Sequence, residues 1–356
     1  MITICSVVGA RPQLIKEAVI QKELKKHNDV SHVLIHTGQH YDFNMSGVFF
    51  ETMNIMPPDY FLGISGVNAV EAIALMMVEL EKVFMKVKPD LCIVYGDTNS
   101  TLAAAIVANK MSIKLAHIEA GLRQEPKTMP EESNRVITDH LSDLLFCPTK
   151  SSFHVLQGES PKGRILLSGD ITYDLFLQNK ALIDQSIIKK LGLVRNEYIY
   201  MTLHRDFNVD FEENLSCILK AVKELNKKCK LVLPIHPRTN KKVIEFGLAD
   251  YLKDFIVISP VSYHESLALI DGSKFIITDS GGLQKDCYYL KKRAFILMPD
   301  TGWRELISSG FHQLLNLDNL VFEFTKNISL DDLEDYFGDG KASKRIVLDI
   351  LNELKI

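Results

Sequence analysis

The chain has 356 residues, 46% hydrophobic and 24% charged, with a formal net charge of −4. That size permits two α/β domains. The mild acidity excludes the broad basic surface of a nucleic-acid binder, so an anionic ligand must be held by local donors.

The opening MITICSVVGA lacks the basic region and cleavage site of an export signal, and no run approaches the roughly 20 apolar residues of a membrane span. The six cysteines are scattered without a C-x-x-C pair. Cys5, Cys92 and Cys147 fall in strand-like apolar runs and predict buried free thiols, in a reducing, cytoplasmic setting.

Taken in chain order, the first half alternates short apolar runs with amphipathic stretches. ITICSVV, HVLIH, LCIVYG, IKLAHIE, LLFCP and RILLSG read as strands. PQLIKEAVIQKELKK, AVEAIALMMVELEKVFMKV and STLAAAIVANK read as helices between them. LCIVY is apolar throughout, as a parallel strand buried on both faces must be. Beyond the charged stretch LIDQSIIKKLGLVRNE the pattern restarts with EYIYMTL, KLVLPI, DFIVIS, KFIITD and RAFILM. After residue 328 the chain reads as helical and ends in the amphipathic KASKRIVLDILNELKI. The alternation predicts an α/β protein with parallel sheets, divided as 1–170, 171–340 and a closing helix 341–356. Ligands of such sheets bind beyond the carboxyl ends of the strands, so the informative residues should follow strands.

Four constellations in the first half do so. In GARPQLIK, Gly9 permits a sharp turn, Arg11 offers a planar donor fork and Pro12 suits a helix start, which together make a diphosphate site. A plain strand-to-helix turn is the bland alternative. In YGDTNST, Asp97 sits at a strand end, with helix capping as its alternative role. In HIEAGLR, Glu119 ends an apolar strand with His117 and Arg123 nearby. In MPEESNR, Glu131, Glu132 and Arg135 occupy a first helical turn, where an acid also complements the helix dipole. Together these place Asp97, Glu119 and Glu131 at one sheet edge beside Arg11 and Arg135, an arrangement that separates carboxylate pKa values as acid–base chemistry requires. The G-x-G-x-x-G fingerprint is absent, which argues against a bound nicotinamide cofactor.

The second half supplies LHRDFN with His204 and Arg205, PIHPRTN with His236, and TDSGGLQKD. In the last, Ser280, Gly281 and Gly282 open a helix whose N–H groups suit phosphate, and Asp286 suits a ribose diol. The loop GDGKASK fails the phosphate-loop spacing and reads as a cap for the final helix. His36, His40, His117 and His140 are spread over different elements and predict no metal site. Trp303 reads as packing.

Read in order, GARPQLIK, GQHYD, YGDTNST, HIEAGLR, PEESNR, LHR, IHPRTN, TDSGG and GDGKAS resemble the UDP-N-acetylglucosamine 2-epimerase family, in its non-hydrolysing bacterial branch. The resemblance implies two Rossmann-like domains in a GT-B arrangement, with the ligand cleft between them and the last helix returning to the first domain. It implies Asp97, Glu119 and Glu131 as acid–base groups and His204 as a catalytic partner of the leaving diphosphate. It further implies Arg11, Lys16, Arg135 and His236 as substrate-binding residues, and Ser280, Gly281, Gly282 and Asp286 as the hold on UDP. No cofactor is implied, and a homodimer is.

The sequence also departs from the family pattern. After GQH it reads Tyr41-Asp42-Phe43-Asn44-Met45-Ser46 where a segment of an allosteric site is usual. His204-Arg205-Asp206-Phe207-Asn208 loses the acid of H-R-x-E-N. The segment Tyr41 to Ser46, with DSGGLQKD and DTGWRE, looks more like members acting on UDP-2,3-diacetamido-glucuronic acid. The competing readings are a hydrolysing 2-epimerase that releases free sugar, and a GT-B glycosyltransferase or a non-catalytic UDP-sugar binder.

Overall fold

The apolar runs are strands of two parallel sheets in the computed structural model, which describes residues 1–39, 57–317, 320–330 and 333–354. His40 and the departing segment Tyr41–Ser46 lie outside the described residues. The chain divides into two compact units, Met1–Leu177 with Asp335–Ile356, and Gln178–Glu334. No described helix is long and apolar enough to cross a membrane.

In the first unit the strands are β1 (Ile2–Val8), β2 (Val30–His36), β3 (Tyr60–Phe61), β4 (Leu91–Tyr95), β5 (Lys114–Ile118), β6 (Leu144–Cys147) and β7 (Arg164–Leu167). They run parallel in the order β3-β2-β1-β4-β5-β6-β7. Side chains alternate across the sheet. Thus Ile4 and Val8 join the core beneath α1 (Arg11–Leu24) and α14 (Ala342–Leu354). Cys5 and Val7 face the core beneath α2 (Ala69–Val87) and α3 (Asn99–Lys110). Burial pushes the Cys5 thiol up to about 12, so it is an inert packing group.

The second unit repeats the plan with β8 (Tyr198–Thr202), β9 (Lys230–Pro234), β10 (Ile256–Ile258), β11 (Phe275–Thr278), β12 (Ala294–Ile296) and β13 (Gln313–Leu314). Their order is β10-β9-β8-β11-β12-β13, again parallel. Each sheet therefore reverses its winding direction once, between β1 and β4 in the first and between β8 and β11 in the second. Such a switch point opens a crevice at the strand carboxyl ends.

Three details differ from expectation. The first unit extends to Leu177 and resumes at Asp335, where residues 170 and 341 were the expected limits. Hydrogen bonds are the reason: the Asp170 N–H donates to the Phe337 carbonyl at 2.9 Å. The cap of α14 is a distant carboxylate and not the GDGKASK loop, since Asp174 accepts from the Ala342 and Ser343 N–H groups at 3.0 and 2.8 Å. Finally, the described residues between 328 and 342 are turn and coil, and the helix begins only at Ala342.

Candidate functional site

In the first unit the switch-point crevice is built by the turns after β1, β4 and β5 and by the start of α4 (Pro130–Leu141). Gly9 is required by close approach: a Cβ there would stand 2.0 Å from Ser100 Oγ and 2.4 Å from Thr37 Oγ1. Gln13, one turn into α1, ties the two central turns together. Its Oε1 accepts from the Gly9 and Ala10 N–H groups at 2.7 and 3.1 Å. Its Nε2 lies 2.7 Å from the Tyr95 carbonyl and 2.9 Å from Thr98 Oγ1. Arg11 stands exposed at the first residue of α1.

Asp97 does not cap α3. Thr98 does, its Oγ1 accepting from the Thr101 N–H at 3.3 Å. Asp97 is therefore available for an ion pair with Arg135, whose second fork nitrogen reaches Glu132 Oε2 at 2.8 Å. Burial alone would lower the Arg135 pKa, but Asp97 and Glu132 outweigh it and raise the value. Asn134 anchors the Asp97 carbonyl at 2.9 Å. Glu132 also accepts from the Gln124 N–H at 3.0 Å and is buried. The structural work of the PEESNR turn thus falls on Glu132. Glu131, partly exposed, makes no side-chain ion pair or hydrogen bond among the described residues.

Glu119 follows β5 in a left-handed conformation, φ 73°, which a non-glycine residue holds at a cost of about 1–3 kcal/mol. Such strain clusters at functional sites. Its Oε2 lies 2.5 Å from Lys16 Nζ, and the two side chains are 15% and 9% exposed, so the pair is largely dry. Gly96 passes directly beneath, with φ +60°; a Cβ there would sit 3.5 Å from Glu119 Oε1 and 3.6 Å from Lys16 Nζ. Lys16 and Glu119 are thus one group, Asp97 and Arg135 another, and Gly96-Asp97 joins them.

The second unit has its own crevice. Asp279, fully buried at the end of β11, organises it. Its Oδ2 accepts from the His204 and Arg205 N–H groups, each at 2.8 Å. His204 Nδ1 lies 3.0 Å from Oδ1. Burial pushes the Asp279 carboxyl up, but His204 and these N–H groups prevail and hold it below the usual carboxylate range. The His236 ring centroid lies 5.5 Å from that of His204. Burial, then the His204 ring, lowers the pKa of His236. His236 also caps α10 (Pro237–Glu245), accepting from the Arg238 N–H at 3.2 Å.

Ser280 caps α12 (Gly281–Tyr289) through the Leu283 N–H at 3.4 Å. Gly281 and Gly282 carry N–H groups that the helix itself cannot pair. A Cβ on either would meet only open space, and neither has a positive φ. Nothing in the unit's own packing demands glycine there, and the absence of side chains leaves the helix start open to approach. Trp303 is packing, as expected: it is buried, and its indole N–H donates to the Gly281 carbonyl at 3.0 Å. Asp286 takes a hydrogen bond from Tyr263 at 3.1 Å.

Sequence reasoning missed the organising roles of Gln13, Asp139 and Asp279. Asp279 had a legible signal, an acid directly at a strand end. Asp139, four residues beyond Arg135 on α4, looked like ordinary surface charge.

The chain matches the family model described as UDP-N-acetylglucosamine 2-epimerase over residues 22–351. It is 40% identical over 353 residues, 97% of this chain and 98% of the other, to the UDP-N-acetylglucosamine 2-epimerase homolog of Methanococcus maripaludis. It is 38% identical over 352 residues, 96% and 98% of the two chains, to the UDP-2,3-diacetamido-2,3-dideoxy-D-glucuronate 2-epimerase of Pseudomonas aeruginosa. Its fold is similar to the crystal structure of the Methanocaldococcus jannaschii UDP-GlcNAc 2-epimerase in complex with UDP-GlcNAc and UDP, with TM-score 0.89, 36% identity and coverage of 99% and 100%.

Proposed function

This chain belongs to the UDP-N-acetylglucosamine 2-epimerase family, and we propose that it inverts C2 of a UDP-2-acetamido sugar without hydrolysis, using the carboxylates at the edge of its first sheet. It is a UDP-sugar 2-epimerase, an isomerase with the two-sheet composition of GT-B-like folds. The C2–H of such a sugar has no carbonyl beside it, so direct deprotonation at neutral pH is not feasible. Loss of UDP across C1–C2 solves the problem: the C2 proton goes to a carboxylate, the C1–O bond breaks with its electron pair leaving on the diphosphate, and a glycal remains. Re-addition of UDP with a proton delivered to the opposite face completes the inversion. This scheme needs proton carriers for both faces and donors for the departing diphosphate.

The observation that carries the reading is Glu119, strained into a left-handed conformation and paired with buried Lys16 above Gly96-Asp97. In this reading Asp97, Glu119 and Glu131 move protons, and Arg11, Lys16 and Arg135 hold substrate charge. His204 and His236 meet the leaving diphosphate, Ser280, Gly281 and Gly282 bind phosphate oxygens, and Asp286 binds the ribose.

We take the sugar to be a 2,3-diacetamido uronic acid, with UDP-N-acetylglucosamine as the alternative. The segments DSGGLQKD and DTGWRE, and the 38% identity to the UDP-2,3-diacetamido-2,3-dideoxy-D-glucuronate 2-epimerase, support this choice. A homodimer is supported by Val70, Val78 and Met85, which lie 79%, 51% and 64% exposed on one face of α2. The unpaired cysteines support action in the cytoplasm, supplying surface polysaccharide synthesis such as lipopolysaccharide or capsule.

The test is proton NMR of the protein with each UDP-sugar in deuterated water. A manno-configured UDP-sugar with deuterium at C2 is the expected product. Free sugar and UDP would select the hydrolysing reaction, and no exchange with either sugar would sink the epimerase reading.

A further inference from the structure

His117 and Asp139 lie below the carboxylates of the first unit, and both side chains are 0% exposed. Out of reach of any ligand, they have no part in the proton transfers proposed above. His117 Nδ1 is 2.7 Å from Asp139 Oδ1, and Nε2 is 2.8 Å from the Gly96 carbonyl. A carbonyl oxygen can only accept, so Nε2 carries a proton. Burial pushes the Asp139 carboxyl up, but His117 and Arg123 outweigh burial and hold it below the usual range. Asp139 Oδ2 also accepts from Arg123 NH1 at 2.8 Å and from the Gly121 N–H at 3.2 Å, the contacts of a carboxylate; a carboxylate only accepts, so Nδ1 donates as well.

We infer that His117 is the positioning residue of this site: a doubly protonated ring, clamped between Asp139 and the Gly96 carbonyl, that holds the three segments bearing Asp97, Glu119 and Glu131 in one register. The inference rests on the epimerase reading for its consequence, though not for its geometry.

Each segment is attached at a named atom. The turn after β4 is held through Gly96, whose carbonyl accepts from His117 and whose N–H donates to the Ile118 carbonyl at 3.0 Å. Asp97 is the next residue. The turn after β5 is held through Gly121, whose N–H donates to Asp139 Oδ2 at 3.2 Å, two residues past Glu119. The third segment is α4 itself, since Asp139 lies one turn beyond Arg135 on the helix that begins with Pro130 and Glu131. Arg123 closes the arrangement, with NH1 2.8 Å from Asp139 Oδ2 and NH2 2.5 Å from Glu159. His140 approaches Glu159 at 3.8 Å on the outer side. Two opposed charges, His117 and Asp139, are thus neutralised within the core, as burial of ionised groups requires. One buried ring fixes how far apart the reacting carboxylates stand.

The test combines a spectrum with two variants of the full-length protein. In ¹⁵N-detected histidine spectra near neutral pH, one buried ring should have both nitrogens protonated, and that signal should vanish in His117→Asn. A single neutral tautomer for His117 would overturn the inference. In deuterium exchange at C2, His117→Asn should lower kcat by about 10²-fold, the scale of a small misplacement of reacting groups. KM and the Kd for UDP should stay near the wild-type values. Asp139→Asn, which can keep the Nε2–H bond to Gly96, should lower kcat less, and it decides the matter should His117→Asn fail to fold. Unchanged turnover in both variants, or a loss of UDP affinity parallel to the loss of kcat, would overturn the inference. Wild-type protein inactive on both UDP-sugars, yet with a doubly protonated His117, would remove the epimerase reading and leave the clamp supported.

Discussion

Each sheet carries a histidine–aspartate pair at its carboxyl edge, and the pairs differ in what remains unused. In the first unit His117 is sealed, with both nitrogens bonded inside the protein and no exposure. In the second, His204 turns its Nδ1 to Asp279, but its side chain is 32% exposed and its Nε2 makes no hydrogen bond among the described residues. The same two side chains therefore do different work. A ring with both nitrogens occupied fixes the backbone, and a ring with one nitrogen turned to solvent can meet a ligand. The aspartate orients the imidazole in both cases, so accessibility of the second nitrogen separates architecture from chemistry.

Replacements can break this comparison. The largest effect should come from neither pair but from the carboxylates they serve. Glu119→Gln should reduce epimerisation about 10³-fold or more while UDP still binds, measured by turnover beside calorimetric titration with UDP. Next, His117→Asn should destabilise the fold by about 3 kcal/mol, because it removes one of the two cations facing the buried Asp139 carboxylate; His204→Asn, at an open position, should change stability by less than about 1 kcal/mol in urea unfolding. Equal losses would show that the two pairs are not distinct in kind.

The smallest effect sharpens the contrast with a histidine bearing no carboxylate. Burial lowers the pKa of His312 to about 4. A depressed histidine pKa means that the unfolded chain takes up its proton first, so this contribution is full above about pH 6.5 and falls by about 1 kcal/mol between pH 6.5 and 5.5. His312→Gln should flatten that part of the stability–pH curve.

The strands were the most legible part of the fold. β4 and β6 are unbroken apolar runs because both faces of a parallel sheet are covered. The two-residue strands β3 and β13 have no readable pattern, being too short to alternate. Asp97, Glu119, His204 and the Ser280-Gly281-Gly282 turn stood out because the chemistry follows strand ends. What stayed hidden was the support. Gln13 and Asp139 lie on helices in runs where polar residues normally face water, and only the fold reveals that these two point inward. The reach of Asp174 to the start of α14 was equally unreadable, because the two lie 168 residues apart.

That reach has a consequence for how the molecule is made. The Gln178–Glu334 unit is continuous in sequence, and its sheet can assemble as soon as it leaves the ribosome. The unit bearing the carboxylates cannot do the same. Its core includes Ile346, Val347, Ile350 and Leu351 of α14, which are translated after the whole of the other unit. The half synthesised first is therefore the half completed last, and a ribosome that stalls before Ala342 releases a chain in which, of α1 and α14, α1 alone covers their face of the first sheet.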